Sequence, residues 1–71
     1  MIRTPVVSAS LVAVGYASPQ QILEIEFHDG SIYHYFAVPA YVYTGLMSMA
    51  SHGYYFQTFI KEGGYRYQRI Q

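Results

Sequence analysis

Residues 22–39 read ILEIEFHDGSIYHYFAVP, and the fold turns on how this stretch folds back on itself. Leu23, Ile25 and Phe27 alternate with Glu24, Glu26 and His28, the two-residue period of a strand with one dry and one wet face. Asp29-Gly30 follows, a dipeptide able to take the positive φ of a tight hairpin turn. Ile32 to Phe36 then forms a second β-rich run in which Tyr33 and Tyr35 bracket His34. Two registers are open. A two-residue turn sets Ile25 opposite His34 and turns the imidazole toward the core. A type I turn with Gly30 in a bulge shifts the pairing by one residue, so that Tyr33 and Tyr35 join Leu23, Ile25 and Phe27 while His34 faces Glu24. The first register buries an imidazole against an isoleucine, which is costly without a hydrogen bond. The bulged register is therefore expected.

Upstream, Ser8 to Tyr16 reads as a strand, with Ser10, Val12 and Val14 on one side and Ala9, Leu11 and Ala13 on the other. Both sets are small or apolar, so the inward face stays open. Ala17-Ser18-Pro19-Gln20 is a turn cluster, with Pro19 suited to the first central position. Three consecutive strands with short links imply an antiparallel meander. Downstream, Pro39 is placed to open a helix, and Val42, Leu46 and Met49 form its apolar stripe. Gly45 weakens this helix but allows close packing. Ser51 is a natural cap for a second helix over 53–61, carrying Phe56, Phe59 and Ile60, which Gly63-Gly64 stops. Residues 65–71 alternate aromatic and basic side chains and form either a short terminal strand or a frayed tail. The expectation is one α+β domain spanning residues 1–71: a three-stranded antiparallel β-meander followed by two short helices packed on one sheet face.

Seventy-one residues lie near the lower limit for an unaided fold. The chain has no cysteine, which removes disulfides, thiolate zinc sites and thiol catalysis together and fits a reducing, cytoplasmic setting. Nine tyrosines and four phenylalanines supply the apolar mass instead. Each tyrosine brings a polar tip that needs water or a partner, so the hydroxyls are either bonded inside or displayed on an aromatic surface. The formal charge is zero, and no whole-molecule field draws phosphate or an anionic membrane. Arg3 and the VVSASLVAVG run loosely imitate a targeting leader, but Pro5, Ser8 and Ser10 interrupt it and the run reads better as strand. No segment approaches the length of a membrane span.

His28, His34 and His52 are scattered, with no metal-ligand spacing, so no metal or other cofactor is expected. Ser51 beside His52 is a poor nucleophile and base, because neighbours in sequence rarely face each other. Glu24 and Glu26 read as the solvated side of a strand rather than an acid–base pair, unless His34 and Glu24 meet in a deep pocket. No glycine-rich phosphate loop is present. What remains is the aromatic–basic set Lys61, Tyr65, Arg66, Tyr67 and Arg69. Single-stranded nucleic acid is held by rings that stack bases beside cations that follow the backbone. The competing assignment packs Tyr65 and Tyr67 under the helices and leaves the arginines in water.

The order of Gly15-Tyr16, Leu23 to Phe27, Gly30, Tyr33-His34-Tyr35, Val38-Pro39, Ala50-Ser51, Gly53, Tyr55-Phe56 and Ile60 resembles the KTSC domain, a module named for the C-terminus of some lysyl-tRNA synthetases. In that resemblance Tyr33, Tyr35, Val38 and Pro39 correspond to a central YxY motif and the two residues that follow it. It implies a small bacterial or phage-type module with no catalytic residues to carry over, for which RNA binding has been suggested. The expected function is a non-enzymatic binding module that contacts RNA or single-stranded nucleic acid through Lys61, Tyr65, Arg66, Tyr67 and Arg69. The alternative is a protein-interaction or self-associating module using exposed tyrosines and a sheet edge.

Overall fold

The computed structural model describes residues 1–71, and its centre is the hairpin. Strand β3 (Ile22–Phe27) pairs antiparallel with β4 (Ile32–Tyr35), setting Leu23 opposite Tyr35, Glu24 opposite His34 and Ile25 opposite Tyr33. This is the bulged register. The Gly30 amide donates to the Phe27 carbonyl at 3.0 Å, closing a turn in which Gly30 adopts φ 88°. Asp29 secures the turn from outside: its Oδ1 accepts from the Ser31 amide at 2.9 Å and the Ser31 hydroxyl at 2.6 Å.

The sheet has five strands rather than the three expected, in the order β1-β2-β3-β4-β5, antiparallel throughout. Strand β1 (Arg3–Pro5) lies outside β2 (Leu11–Ala17), and β5 (Tyr67–Arg69) lies outside β4. Both additions are three residues long and exposed, too short to show a hydrophobic period. The tail is thus a strand. Strand β2 starts later than the sequence indicates. Ser8 to Ser10 form a turn instead, where the Ser8 hydroxyl accepts from the amides of Ser10 and Leu11, a local bond that competes with the ladder. The open question of which β2 face is dry has a geometric answer. Leu11 pairs with Phe27 and Ala13 with Glu26, so Val12 is an extra residue in a bulge. The bulge reverses the alternation and lets both Leu11 and Val14 reach the core with no exposed surface.

At the next turn, the Gln21 amide donates to the Ser18 carbonyl, with Pro19 in the first central position as expected. Pro39 caps α1 (Ala40–Ser48) rather than sitting inside it, and Val42 and Leu46 are buried against the sheet. Met49, assigned to the same stripe, is 39% exposed, because the helix ends at Ser48 and Met49 is extended. At Gly45 the Tyr55 hydroxyl occupies the space a Cβ would need, which is the close packing that glycine permits. The second helix begins as α2 (His52–Tyr55), with the Ser51 hydroxyl accepting from the Tyr54 amide. It widens into a π-helical stretch, Phe56–Lys61, that buries Phe56 and Ile60 but leaves Phe59 half exposed. Gly64, at φ 82°, ends it.

One core joins Leu11, Val14, Leu23, Ile25 and Tyr35 of the sheet to Val38, Val42, Leu46, Phe56 and Ile60. The helices cover one face of the sheet. On the opposite face Arg3 lies 3.4 Å from Glu24 and 3.5 Å from Glu26, which ties the outer strand β1 to the centre.

Gly30→Ala is expected to lower stability by about 1–2 kcal/mol, since an L side chain at positive φ is strained; denaturant unfolding measures it. The two Ser31 bonds, hydroxyl first and then amide, hold the Asp29 carboxyl below its ordinary value of 3.8. The stabilisation from this lowered group is present above pH 3.8 and is lost as pH falls through the lower value in the folded chain. Acid titration followed by circular dichroism is expected to show this loss, and Asp29→Asn should remove it.

Candidate nucleic-acid interface

Strand β5 decides where the aromatic–basic residues go. Its register sets Tyr67 beside Tyr35 and Arg69 beside Tyr33. Since side chains alternate along a strand, Tyr67 and Arg69 share the helix-bearing face with Tyr33 and Tyr35, while Gln68 joins His34 on the other. At this end of the sheet the helices leave a gap. Tyr33, Tyr35, Tyr67, Phe56 and Lys61 line a cleft of about 290 Å³ there.

The cleft is an aromatic construction. The Tyr67 ring lies 6.0 Å from Tyr33 and 5.6 Å from Tyr35, while Tyr33 and Tyr35 are stacked at 6.4 Å. Phe56 meets Tyr35 edge-on at 5.7 Å, and Phe27 meets Tyr33 in the same way from the turn side. Tyr67 is 61% exposed and presents its ring to solvent, whereas Tyr35 is only 5% exposed and forms the floor. Lys61 comes from the last turn of the π-helical stretch and lines the cleft beside the four rings.

The phenol hydroxyls of the cleft are free. Of the nine tyrosines, only Tyr16 uses its hydroxyl within the chain, donating to the Val38 carbonyl. No buried polar side-chain atom lacks a partner, so the Tyr35 hydroxyl opens onto the cleft although its ring is almost wholly enclosed. Burial, and then the neighbouring Tyr33 and Tyr67, push the Tyr35 phenol up to about 12. Tyr35 therefore keeps its proton at neutral pH and remains a hydrogen-bond donor.

The structure brings together Lys61 and Tyr67 with the motif residues Tyr33 and Tyr35 at the cleft. Arg69 pairs with Tyr33 but lies outside the cleft lining, its Nε donating to the Gln71 carbonyl at 3.0 Å, and Tyr65 and Arg66 are separated from the set. Tyr65 packs against the core near Tyr41 and Tyr55, and burial, followed by those two phenols, raises its pKa. Arg66 lies 4.9 Å above the Phe36 ring, and the alternation along β5 carries it to the sheet face without helices. Val38 and Pro39 serve the fold. The Val38 amide donates to the Gln21 carbonyl, its carbonyl accepts from Tyr16, and Pro39 caps α1. Sequence reasoning missed the joining of the YxY motif to the tail, because only a β4–β5 pairing makes neighbours of residues more than thirty apart.

The histidines and serines weighed as chemical groups have structural partners. The His34 Nε2 proton goes to Glu24 at 2.7 Å, on the open sheet face rather than in a deep pocket. His28 donates to the Ser8 carbonyl and His52 to the Leu46 carbonyl, each at 2.8 Å. Ser51 is the helix cap. A second hollow of about 350 Å³ lies between Ser8–Ser10 and Ser51–Tyr54, and of the groups weighed above it includes Ser51 and His52. No helix is long and apolar enough to cross a membrane.

Comparison with known proteins gives the family. The model of the KTSC domain matches residues 7–68. The chain belongs to the KTSC domain family. A crystal structure of a KTSC domain protein from Yersinia pestis superposes with a TM-score of 0.90 at 32% identity, covering 99% of this chain and 97% of that one. A protein of Stutzerimonas stutzeri, named only as uncharacterized, is 44% identical over 70 residues and matches 99% of each chain. A lysine–tRNA ligase of Trichormus variabilis is 44% identical over 55 residues, 78% of this chain but 10% of the ligase. This KTSC domain thus corresponds to a small fraction of such a ligase.

Alkaline titration of the phenols provides a check on the enclosed floor. The folded Tyr35 value of about 12 lies above the ordinary 10.0, so the folded chain holds this proton more tightly than the unfolded chain does. Its contribution to stability is complete below pH 10.0 and falls away as pH rises toward 12. Ultraviolet difference spectra are expected to show a late-titrating phenol that Tyr35→Phe removes.

Proposed function

We propose that this KTSC domain is a non-enzymatic module that binds single-stranded RNA, or single-stranded nucleic acid generally, at the Tyr33–Tyr35–Tyr67 cleft. The observation that carries the reading is the convergence of an exposed ring, Tyr67, with the Lys61 ammonium at one cleft. Exposed rings stack bases, and adjoining cations neutralise the phosphates between them. Arg69 extends the cationic side from the same face of β5, next to Tyr33. The contact set is thus narrower than the tail as a whole: Lys61, Tyr67 and Arg69 act, and Tyr65 and Arg66 do not. A non-catalytic role is supported by the histidines and Ser51, each of which makes a hydrogen bond that serves the fold. The occurrence of related sequence in lysine–tRNA ligases is compatible with an RNA partner. A cytoplasmic setting belongs to the same proposal.

A second reading, association through the β5 edge, is favoured by one feature. Tyr67 and Ile70, 61% and 49% exposed, lie at or just beyond the short outer strand. Light scattering over a concentration series separates the two, since a constant monomer mass removes self-association.

Fluorescence anisotropy with a labelled mixed-sequence oligoribonucleotide tests the first. Affinity is expected to fall with salt, and Lys61→Ala should flatten the logarithmic slope by about 0.7. Tyr67→Ala should cost about 1–3 kcal/mol, the value of one stacked base. Arg66→Ala should leave binding unchanged. Absence of binding at low salt rejects the proposal.

A further inference from the structure

The Tyr35 hydroxyl is an oddity that base stacking does not use. Its ring is 5% exposed, its oxygen has no partner in the chain, and it opens into the cleft. A polar atom set at the floor of a cleft and left unbonded by the chain discriminates among ligands, because a ligand that covers it without the matching group leaves it unpaired. The other polar side-chain groups of the cleft are the Lys61 ammonium and the hydroxyls of Tyr33 and Tyr67. Lysine only donates, and a phenol donates readily and accepts less well. No carboxylate, amide or imidazole lines the cleft to accept from a ligand amine. The site is therefore built for a flat ring whose edge is rich in acceptors.

Resting on the nucleic-acid reading above, we propose that the cleft takes a single keto pyrimidine base, uracil or thymine, with the Tyr35 hydroxyl donating to the C4 carbonyl that cytosine lacks. Size and edge chemistry both support the choice. At about 290 Å³ the cleft sits at the bottom of the range for ligand pockets, which suits one ring better than two. Uracil and thymine present two carbonyls around one N–H. Cytosine replaces one carbonyl by an amine, which would face donors. Adenine has an amine and no carbonyl. Burial holds the proton on Tyr35, so the donor persists across the physiological range.

The substitution Tyr35→Phe isolates this effect, because the hydroxyl has no bond inside the chain and its loss leaves the packing of the ring in place. The test is fluorescence anisotropy of the full chain with oligo(U), oligo(dT), oligo(C) and oligo(A) of one length, alongside thermal unfolding. Oligo(U) and oligo(dT) are expected to bind three- to tenfold more tightly than oligo(C) and oligo(A). Tyr35→Phe should abolish that margin by weakening oligo(U) and oligo(dT) three- to tenfold, and a retained cooperative unfolding transition shows that the ring still packs. The relative strength of oligo(U) and oligo(dT) assigns the partner to RNA or DNA. Equal binding of all four, tighter binding of oligo(A), or a margin that survives in Tyr35→Phe overturns the base assignment and leaves the nucleic-acid reading standing. Failure of all four to bind at low salt overturns both.

Discussion

The register of the β3–β4 hairpin governs the rest of this molecule. Gly30 at positive φ inserts one extra residue at the turn, and the consequence runs along both strands. Tyr33 and Tyr35 are placed on the helix-bearing face, and Glu24 is set opposite His34 at 2.7 Å on the other side. A slip of one residue would exchange these faces, burying an imidazole against Ile25 and leaving both tyrosines in water. The cost of that exchange falls on two kinds of group at once, so the register is specified from both faces. Asp29 adds to it by accepting from the Ser31 amide and hydroxyl, which fixes the turn.

A small chain without disulfides has to find area where it can. Here the area comes from rings that bridge sheet and helices: Phe27 and Tyr35 both meet Phe56, and Tyr16 lies stacked on Tyr43 at 5.0 Å. Aromatic pairs contribute beyond their area, at about 0.5–1.5 kcal/mol each. The π-helical widening at Phe56–Lys61 belongs to the same economy. It keeps Phe56 and Ile60 both buried and carries Lys61 to the cleft at the end of the stretch. Such widenings recur at functional sites because they redirect a side chain without ending the helix.

The hairpin, the Pro19 turn, the Ser51 cap and the glycine stop after Lys61 were all legible, because each depends on residues close in sequence. What was not legible depends on distance or on a broken period. Strand β1 is three residues ending in proline, with no alternation to read, and what holds it is non-local: its pairing with β2 and the ion pairs of Arg3 to Glu24 and Glu26. Strand β2 shows apolar residues on both sides, and the bulge at Val12 that sorts them has no signature in the sequence. Met49 follows helical spacing but falls past the end of α1. The candidate site was half visible. The aromatic–basic tail and the YxY motif were each apparent, but their union required the tail to pair with β4.

That union changes what the tail can mean. Read linearly, Tyr65, Arg66, Tyr67 and Arg69 form one alternating strip, and any contact would engage all four. Strand geometry divides them between the two faces of the sheet, with Tyr67 and Arg69 on one and Arg66 on the other. A neutral chain has no long-range field to spend on phosphate, so binding has to come from local groups that converge. One ammonium, one open ring and one enclosed donor hydroxyl do converge, at the end of the sheet where the helices stop short. Such a site gains little from charge and more from stacking and edge matching. On the proposed reading, a module of this kind would contribute modest affinity with a preference for a base rather than act as a general nucleic-acid clamp.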